Sequence, residues 1–287
     1  GYARSGNSRG IPIAHVTHAA LNPVLKAALK TDLTGLEAAI DKDFRAKSQP
    51  VTGWKAEIHT SIDTVRTEVK NVIGVIEGEG PLKDETIVIG AHYDHVGMGG
   101  TGSLAPGSKE VHNGADDNGS GTVSLIELAR RLGSRKKKLP RRLVFIAFTA
   151  EELGLIGSAR YVNNPVFPLE KTVAMFNMDM VGRLTNNRLT VFGTGTAPRW
   201  KKILATKGKA REFALSMKPS GFGPSDHSSF YGKKIPVLHF FTGTHSDYHR
   251  PGDDWPKINY DGMEQIVSML EEIVIETAKE KSRPKYV

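Results

Sequence analysis

Residues 143–154, LVFIAFTAEELG, decide the fold. The apolar run from Leu143 to Phe148 suits a strand that is buried on both faces, as in a parallel sheet covered by helices. The run leads into a turn that carries two adjacent carboxylates, Glu151 and Glu152. Neighbouring acids on one turn can divide two tasks, one holding a metal ion and the other moving a proton. The stretch therefore predicts a buried strand that delivers an acidic pair to the edge of its sheet.

Alternating strands and helices are predicted on both sides of this stretch. Further apolar runs predict strands at residues 86–91, 172–178, 189–192 and 235–241. Apolar residues at helical spacing predict helices after the glycine-rich residues 118–121 and over residues 260–279, with a short helix at 158–162. Alternation between residues 56 and 75 predicts antiparallel strands. We therefore expect an α/β fold with a mixed, mainly parallel central sheet flanked by helices.

Composition limits the classes of protein to which the chain can belong. The 287 residues carry a formal net charge of +8 and no cysteine, so any metal ion must be bound by histidine and carboxylate. No apolar run approaches the ~20 residues that a membrane span needs. The basic residues at 135–138 and 141–142 have no aromatic residues between them. We interpret them as a solvated connection between a helix and a strand, and expect no nucleic-acid partner.

Candidate metal ligands lie at strand ends and in loops. His92, Glu152 and Asp179 end or follow predicted buried strands, Asp117 follows a glycine-containing loop, and His249 lies in a loop before Arg-Pro-Gly. Ligands of open α/β sheets bind at the carboxyl ends of the strands. Three carboxylates and two imidazoles suit Zn²⁺ or a similar divalent ion.

Each of these residues has an ordinary structural explanation when it is taken alone. Glu151 and Glu152 would suit the first turn of a helix, Asp117 a helix cap, and His92 a satisfied loop histidine. All of these explanations would have to hold together, in this order along the chain. The combined pattern therefore favours a metal site.

The ordered motifs resemble those of the M28 family of dinuclear zinc peptidases, which includes bacterial leucyl-type aminopeptidases. The motifs are His92-Tyr93-Asp94, GADDNGSG at residues 114–121, Glu151-Glu152-Leu153-Gly154, Asn177-Met178-Asp179 and Tyr248-His249. The resemblance covers roughly residues 55–280, and any one motif alone would be weak. It implies the zinc-exopeptidase fold, of the phosphorylase/hydrolase-like type.

The resemblance also implies a set of metal ligands. Asp117 would bridge two Zn²⁺ ions, and the same ligands would accept Co²⁺ or Mn²⁺. His92 and Asp179 would complete one site, and Glu152 and His249 the other. Two metals in this arrangement hold a water between them and polarise the scissile carbonyl.

Three further residues receive catalytic roles from the resemblance. Glu151 would be the general base that takes the proton from the metal-bridging water. Tyr248 would donate a hydrogen bond to the oxyanion, and Asp94 would accept the second ring N–H of His92. Relatives often have a cis peptide just after the bridging residue, so we predict one at Asp117–Asn118.

The favoured function is a two-zinc metallo-exopeptidase, an aminopeptidase that hydrolyses N-terminal residues of peptides. A carboxypeptidase of the same family remains open, because Arg183, Arg250 and Lys257 could bind a terminal carboxylate. A glutaminyl cyclase, a transferase with a single zinc, would lose part of the ligand set. A non-catalytic, receptor-like member would lose ligands or the base, and Glu151 is present.

The remaining histidines receive minor roles. His95 and His112 border the glycine-rich residues 97–107, and we interpret them as loop residues beside a flap over the site. His239 lies in an apolar strand and is expected in the core. His227 is expected near the pocket.

Residues 1–50 differ from the rest and are expected to form a lead-in segment, with the catalytic domain at 51–287. They resemble the end of a protease-associated domain, with a strand at 10–16 and helical pieces at 25–29 and 36–40. A native short lead-in is the alternative. Resemblance to exported relatives suggests a periplasmic or secreted location. Neither side-chain preference nor oligomeric state follows from the sequence.

Overall fold

The computed structural model describes residues 14–58 and 66–287, and it divides into two compact units between Thr67 and Glu68. The first unit contains helices α1 (His18–Leu29) and α2 (Leu33–Asp43), which include both predicted helical pieces. Of the strand expected at residues 10–16, residues 10–13 lie outside the described residues and 14–16 form no strand. The division into lead-in segment and catalytic domain stays a prediction.

The second unit is built on a seven-stranded sheet. Its strands are β1 (Val72–Ile76), β2 (Thr86–His92), β3 (Arg142–Phe148), β4 (Thr172–Met178), β5 (Arg188–Phe192), β6 (Ala214–Lys218) and β7 (Val237–Phe241), in the order β1-β3-β2-β4-β7-β5-β6. The pairs β2–β3, β2–β4, β4–β7 and β5–β6 are parallel. The pairs β1–β3 and β5–β7 are antiparallel. The expectation of a mixed, mainly parallel sheet is confirmed.

Five helices of this unit connect or cover the strands. They are α3 (Gly121–Gly133), α4 (Ile156–Asn163), α5 (Arg199–Lys209), α6 (His227–Tyr231) and α7 (Tyr260–Lys279), and short 3₁₀ turns lie at Gly80–Leu82, Leu169–Lys171 and Trp255–Lys257. The predicted bounds of α7 are confirmed. Among the described residues, no helix has both the length and the apolar character needed to span a bilayer.

The predicted antiparallel strands between residues 56 and 75 are only partly present. Residues 59–65 lie outside the described residues, and of the remainder only β1 is a strand. It pairs antiparallel with β3 at the edge of the sheet. Val72 and Val75 are exposed there.

The sheet is covered on both faces, which explains the continuous apolar runs. Ile87 and Ile89 of β2 join a core cluster with residues of α3, α5 and α7. Val88, which points to the opposite face, joins a second cluster with Val162 of α4 and Phe230 of α6. Every residue of β2 and β4 is buried. A strand enclosed in this way gains from apolar side chains at every position rather than at alternate ones.

One interpretation of the basic residues is wrong. Arg141, expected to be solvated, is buried just before β3, where it bonds Glu85 and carbonyls at the end of α7. Its neighbour Arg142 pairs with Glu77 at 2.9 Å. Nε and Nη1 of Arg141 meet acceptors, which lowers the cost of burying its charge and which the sequence pattern does not reveal.

The parallel strands bring the candidate residues to one edge of the sheet. β2 lies between β3 and β4, and all three run in the same direction. His92 ends β2, Glu151 and Glu152 follow β3, and Asp179 follows β4. Their side chains therefore converge at the carboxyl ends of three adjacent strands.

Candidate metal centre

Two groups of ligand-type side chains share Asp117. In the first group, His92 Nε2 lies 3.3 Å from Asp117 Oδ1 and 3.3 Å from Asp179 Oδ1. In the second, His249 Nε2 lies 3.1 Å from Asp117 Oδ2 and 3.2 Å from Glu152 Oε2. Each oxygen of Asp117 therefore faces a different group. The structure brings together all five residues that the sequence suggested as ligands.

The spacing of these donor atoms fits divalent metal ions. Zinc bonds of ~2.0–2.1 Å in a tetrahedron place neighbouring ligand atoms ~3.3 Å apart. The four separations from the two histidine nitrogens are 3.1 to 3.3 Å. His249 Nε2 is also buried and makes no hydrogen bond within the described part of the chain. A buried nitrogen without a partner, surrounded by carboxylate oxygens, suits a metal ligand.

The loop that carries Asp117 is attached to the end of β4. The peptide bond Asp117–Asn118 is cis, which confirms the prediction. The Asn118 side chain donates to the carbonyl of Met178 at 3.0 Å and accepts from the N–H of Gly121 at 3.0 Å. These contacts hold Asp117 beside Asp179, which directly follows Met178.

Asp253, which sequence reasoning missed, supports the same loop from the other side. It is fully buried, and its Oδ2 accepts the N–H groups of Asp116 at 2.9 Å and Asp117 at 3.0 Å. Its Oδ1 accepts a hydrogen bond from the guanidinium nitrogen Nη2 of Arg183 at 2.8 Å. The only signal in the sequence is its position four residues after His249 in the same loop.

Asp94 contacts the His92 ring through its backbone, not through its carboxylate as expected. The backbone carbonyl of Asp94 lies 3.0 Å from His92 Nδ1, whereas its carboxylate Oδ1 is 3.8 Å away. The carboxylate instead accepts the N–H of Glu151 at 3.0 Å and of Glu152 at 3.2 Å. The turn after β3 directs two backbone N–H groups at the carboxylate of Asp94, which accepts them in place of the His92 ring N–H. Asp94 therefore orients the acidic turn and, through its backbone, His92.

His95 lies in a loop, as expected, but nothing in the sequence indicated its contacts with the candidate ligands. Its Nδ1 lies 2.8 Å from Glu152 Oε1 and 3.9 Å from Asp117 Oδ2, and the ring meets His249 edge-on. Its ring places it among the groups that could hold a metal ion. The spacing His92-Tyr93-Asp94-His95 contains the signal, but only the turn after β2 directs the second histidine inward.

The surroundings of Glu151 and Glu152 shift their pKa values in opposite directions. Burial raises the pKa of Glu151 to about 9, and the charge of His92 opposes this only in part. Burial also disfavours ionisation of Glu152, but the adjacent rings of His249 and His95 outweigh it and lower its pKa to about 2. Carboxylates whose pKa values are pushed apart suit different tasks, one carrying a proton and the other remaining ionised.

The ligand-type residues stabilise each other's charges. Burial disfavours the charged form of His92, but Asp179 and Asp117 outweigh it and raise its pKa well above the usual value. Burial acts likewise on His249, and Asp117 and Glu152 raise its pKa to about 10. The pKa of Asp117 is lowered, against burial, by both histidines. Protons and a divalent cation therefore compete for the same negative charge.

A cavity of about 100 Å³ opens beside the cluster. Carboxylates, apolar side chains and a phenol line it, including Asp117, Glu151, Glu152, Asp179, Met180, Phe192, Phe241 and Tyr248. Burial and the charges of Asp117 and Glu152 raise the pKa of Tyr248, so its hydroxyl stays protonated. Larger cavities elsewhere on the unit contain no part of the cluster.

The glycine-rich loop contacts the cluster directly. The carbonyl of Gly102 lies 2.6 Å from His249 Nδ1, and the N–H of Leu104 donates to the carbonyl of His249 at 3.0 Å. This contact directs His249 Nε2 toward Asp117 and Glu152. His112 stabilises the loop itself, with Ser103 Oγ 2.8 Å from its Nε2. The mobility expected of a flap stays a prediction.

The remaining residues suggested by the sequence take supporting positions. Arg183 pairs with Asp253 and Asp247, and Lys257 pairs with Asp247 at 2.9 Å. His239 is buried, as expected, and stacks on the buried His227 with ring centroids 4.3 Å apart. His239 also lines the cavity.

Comparison with known proteins agrees with this geometry. The aminopeptidase YwaD of Bacillus subtilis is 29% identical over 231 residues, which cover 76% of this chain and 47% of that protein. The solved structure of BSAP, a zinc aminopeptidase from B. subtilis, matches 76% of this chain and 52% of its own with a TM-score of 0.60 at 29% identity. The LapA aminopeptidase of Legionella pneumophila matches 74% of this chain and 56% of its own, with a TM-score of 0.60 at 26% identity.

The chain spans about half the length of the relatives it matches. The sequence model of peptidase family M28 matches residues 71–274, which include all seven strands and every ligand-type residue described above. The chain belongs to peptidase family M28.

Proposed function

We propose that this chain contains the catalytic domain, residues 51–287, of a two-zinc metallo-exopeptidase that removes N-terminal residues from peptides. The observation that carries the proposal is the position of Asp117, whose two oxygens face two separate ligand groups. These groups lie beside a cavity that contains carboxylates. Residues 1–50 would form the lead-in segment, which resembles the end of a protease-associated domain.

The ligands of the two ions would be divided by Asp117. His92 and Asp179 would hold one ion, Glu152 and His249 the other, and Asp117 both. When bound, two Zn²⁺ ions, or Co²⁺ or Mn²⁺ in their place, would polarise the scissile carbonyl and make water nucleophilic at neutral pH.

Glu151 is the proposed general base. It lines the cavity and is not needed as a ligand. Divalent cations bound beside it would keep its carboxylate ionised, so that it could take a proton from the attacking water and transfer it to the leaving amine. Asp94 orients it by accepting the N–H groups of the turn.

Tyr248 is the proposed oxyanion donor. Its ring stacks on His249 with centroids 3.9 Å apart, and its hydroxyl remains protonated because burial and nearby carboxylates raise its pKa. A phenol in this position can donate a hydrogen bond to the oxygen on which negative charge develops.

The charges around the cavity favour an aminopeptidase over a carboxypeptidase. A carboxypeptidase needs a cation to bind the terminal carboxylate. Within the part of the chain that the structure describes, no lysine or arginine lines the cavity. Of the three candidates for this role, Arg183 and Lys257 are paired with Asp253 and Asp247. The third, Arg250, is exposed and does not line the cavity. Carboxylates such as Glu151 and Asp179 would instead attract the free ammonium group of a peptide.

Two other members of the wider fold are disfavoured. The glutaminyl cyclase of Porphyromonas gingivalis shares the fold with a TM-score of 0.59 at 21% identity. A single-zinc cyclase would not need both ligand groups. A receptor-like protein would not need Glu151 beside them.

The proposed partners are peptides, and the proposed location is periplasmic or secreted, as the family resemblance suggests. Fractionation of the source cells would test the location, and recovery in the cytoplasm alone would contradict it.

The decisive experiment measures metal content per chain together with hydrolysis of an aminoacyl-anilide, unblocked and N-acetylated. We expect about two metals per chain and hydrolysis of the unblocked substrate only. One metal per chain would point to a cyclase. Two metals without anilide hydrolysis would exclude the aminopeptidase assignment for this substrate class, and hydrolysis of C-terminal residues would support a carboxypeptidase.

A further inference from the structure

We propose that His95 is a positioning residue of the metal centre: it donates its Nδ1–H to Glu152 Oε1 and leaves only Oε2 of Glu152 to bind metal. This inference rests on the proposed function and adds a residue to it. The side chain of His95 is only 10% exposed, so it lies within the cluster and not at its rim.

The distances separate a hydrogen-bond donor from a metal ligand. His95 Nδ1 lies 2.8 Å from Glu152 Oε1, an ordinary hydrogen-bond length. The separations between the other donor atoms of the two groups are 3.1 to 3.3 Å, as expected for atoms that share a metal ion. From His95 Nδ1 to Asp117 Oδ2 the distance is 3.9 Å. His95 is thus too near one ligand and too far from the other to share their ion.

His95 and His249 contact different oxygens of the same carboxylate. His249 Nε2 faces Glu152 Oε2 at 3.2 Å, whereas His95 faces Oε1. An ionised carboxylate can only accept, so Nδ1 of His95 must carry the proton. A protonated ring nitrogen has no lone pair for a metal. The other nitrogen, Nε2, is buried without a hydrogen-bond partner among the described residues.

The surrounding backbone keeps the His95 ring in this orientation. Gly114 lies so close that a Cβ there would come within 2.7 Å of His95 Cγ and Cδ2. On the other side the ring meets His249 edge-on, with centroids 5.5 Å apart. The ring is therefore confined between the loop of Asp117 and the loop of His249.

As a consequence, the two metal sites would have the same number of donor atoms from the chain. With Oε1 occupied, the second group offers three donor atoms, Asp117 Oδ2, Glu152 Oε2 and His249 Nε2. The first group also offers three, from His92, Asp117 and Asp179. Loss of the hydrogen bond would free Glu152 to rotate, so only the metal bound by Glu152 should be weakened. Partners of metal ligands are worth about 10–100-fold in metal affinity.

A pair of substitutions distinguishes donation from ligation. The side-chain amide nitrogen of asparagine branches from Cγ, as Nδ1 does, whereas that of glutamine lies one atom further along the chain. His95→Asn should therefore keep the hydrogen bond, and His95→Gln should lose it. We expect competitive Zn²⁺ titration to show two tight sites in the wild type and in His95→Asn. In His95→Gln one site should weaken about 10–100-fold and the other should not change.

His18→Asn is the control and should bind zinc as the wild type does, because this exposed histidine belongs to helix α1 of the other compact unit. Equal loss of metal in His95→Asn and His95→Gln would overturn the proposal in favour of ligation, and wild-type affinity in both would overturn it altogether. X-ray absorption of the zinc-loaded wild type needs no variant: it should count two imidazoles per two zinc ions, and three would refute the proposal. A wild type that binds fewer than two metals would instead refute the proposed function.

Discussion

Strands β2 and β3 have buried charge near both ends, and the two ends stabilise it differently. Near the amino ends, Arg141 is fully buried and bonds Glu85 Oε2 at 2.7 Å and the carbonyl of Thr277 at 2.7 Å. Glu85 also accepts from Arg283 at 2.7 Å. This end contains a charge network whose partners all come from the chain.

Near the carboxyl ends, acids converge and the charged groups that face them are histidines. Glu151, Glu152, Asp117 and Asp179 line one cavity, and no lysine or arginine among the described residues lines it with them. Buried charge alone therefore does not indicate a functional site. The end that we propose to be functional is the one where acids face histidines, which can release protons and bind a metal ion instead.

The largest expected effect is at the carboxyl ends. Glu151→Ala should lower turnover by about 10²–10⁴-fold, because general-base catalysis is worth that much. It should retain both metals, since Glu151 is not a proposed ligand. Glu152→Ala is the control and should lose metal together with activity. Metal analysis beside the kinetic assay checks both, and loss of metal from Glu151→Ala in proportion to activity would contradict this division of tasks.

Metal binding should stabilise only the carboxyl-end cluster. At a free zinc concentration about 100 times the dissociation constant, each site adds about 2.7 kcal/mol to the free energy of unfolding. Denaturant unfolding with zinc and with excess chelator measures the difference. Replacement of Arg141 at the other end should leave this increment unchanged. Equal stability with zinc and with chelator would mean that the cluster does not bind it.

Breaking the amino-end network should cost stability and leave the chemistry intact. Arg141→Met leaves Glu85 and buried carbonyls with fewer donors, and removing one partner of a buried pair costs about 3 kcal/mol. Turnover per folded molecule should stay at the wild-type value. Arg130→Met, which breaks an exposed pair with Glu127, should cause no measurable change. A loss of turnover in folded Arg141→Met would show that the two ends are coupled.

The smallest expected effect concerns pH and two buried groups near the carboxyl ends. Burial raises the pKa of Asp226 to about 7 and lowers that of His227 to about 3. Between about pH 4 and 6.5 the folded state holds an extra proton on Asp226, so this group makes stability fall as pH rises. His227 is protonated only when unfolded, so it makes stability rise with pH. The two contributions oppose each other in the wild type.

Asp226→Asn should expose the contribution of His227. In excess chelator, its free energy of unfolding should rise with pH more steeply than that of the wild type, by up to about 1.4 kcal/mol per pH unit between about pH 4 and 6.5. Denaturant unfolding at several pH values measures the slopes. Parallel curves for variant and wild type would contradict the assignment of the raised pKa to Asp226.

Sequence patterns predicted the buried strands and the short helix α4, but not the edge strand β6, whose residues alternate between exposed and half-buried positions. The apolar runs at β2, β3 and β4 are continuous because both faces of the sheet are covered. Helix α5 went unpredicted, although its buried Trp200, Ile203 and Leu204 have helical spacing, because lysines separate and surround them. The five-residue helix α6 is too short for any periodicity to appear.

Candidate ligands were predictable because their residue types and order follow from chemistry and local strand ends. Their supporting residues were not. Asp253 contacts a loop 136 and 137 positions away in sequence, and His95 contacts Glu152 across 57 positions. Such contacts depend on where whole strands and loops pack.

The sequence by itself determined the strands that are buried on both faces, the absence of cysteine ligands and the set of histidines and acids able to bind metal. Only the tertiary structure decided that Asp117 turns one oxygen to each ligand group, that the carboxylate of Asp94 serves the acidic turn, and that His95 faces Glu152. The physical reason is that the local pattern of apolar residues indicates which faces of a strand or helix are buried. The direction of a single oxygen or ring nitrogen is set by packing between strands and loops distant in sequence.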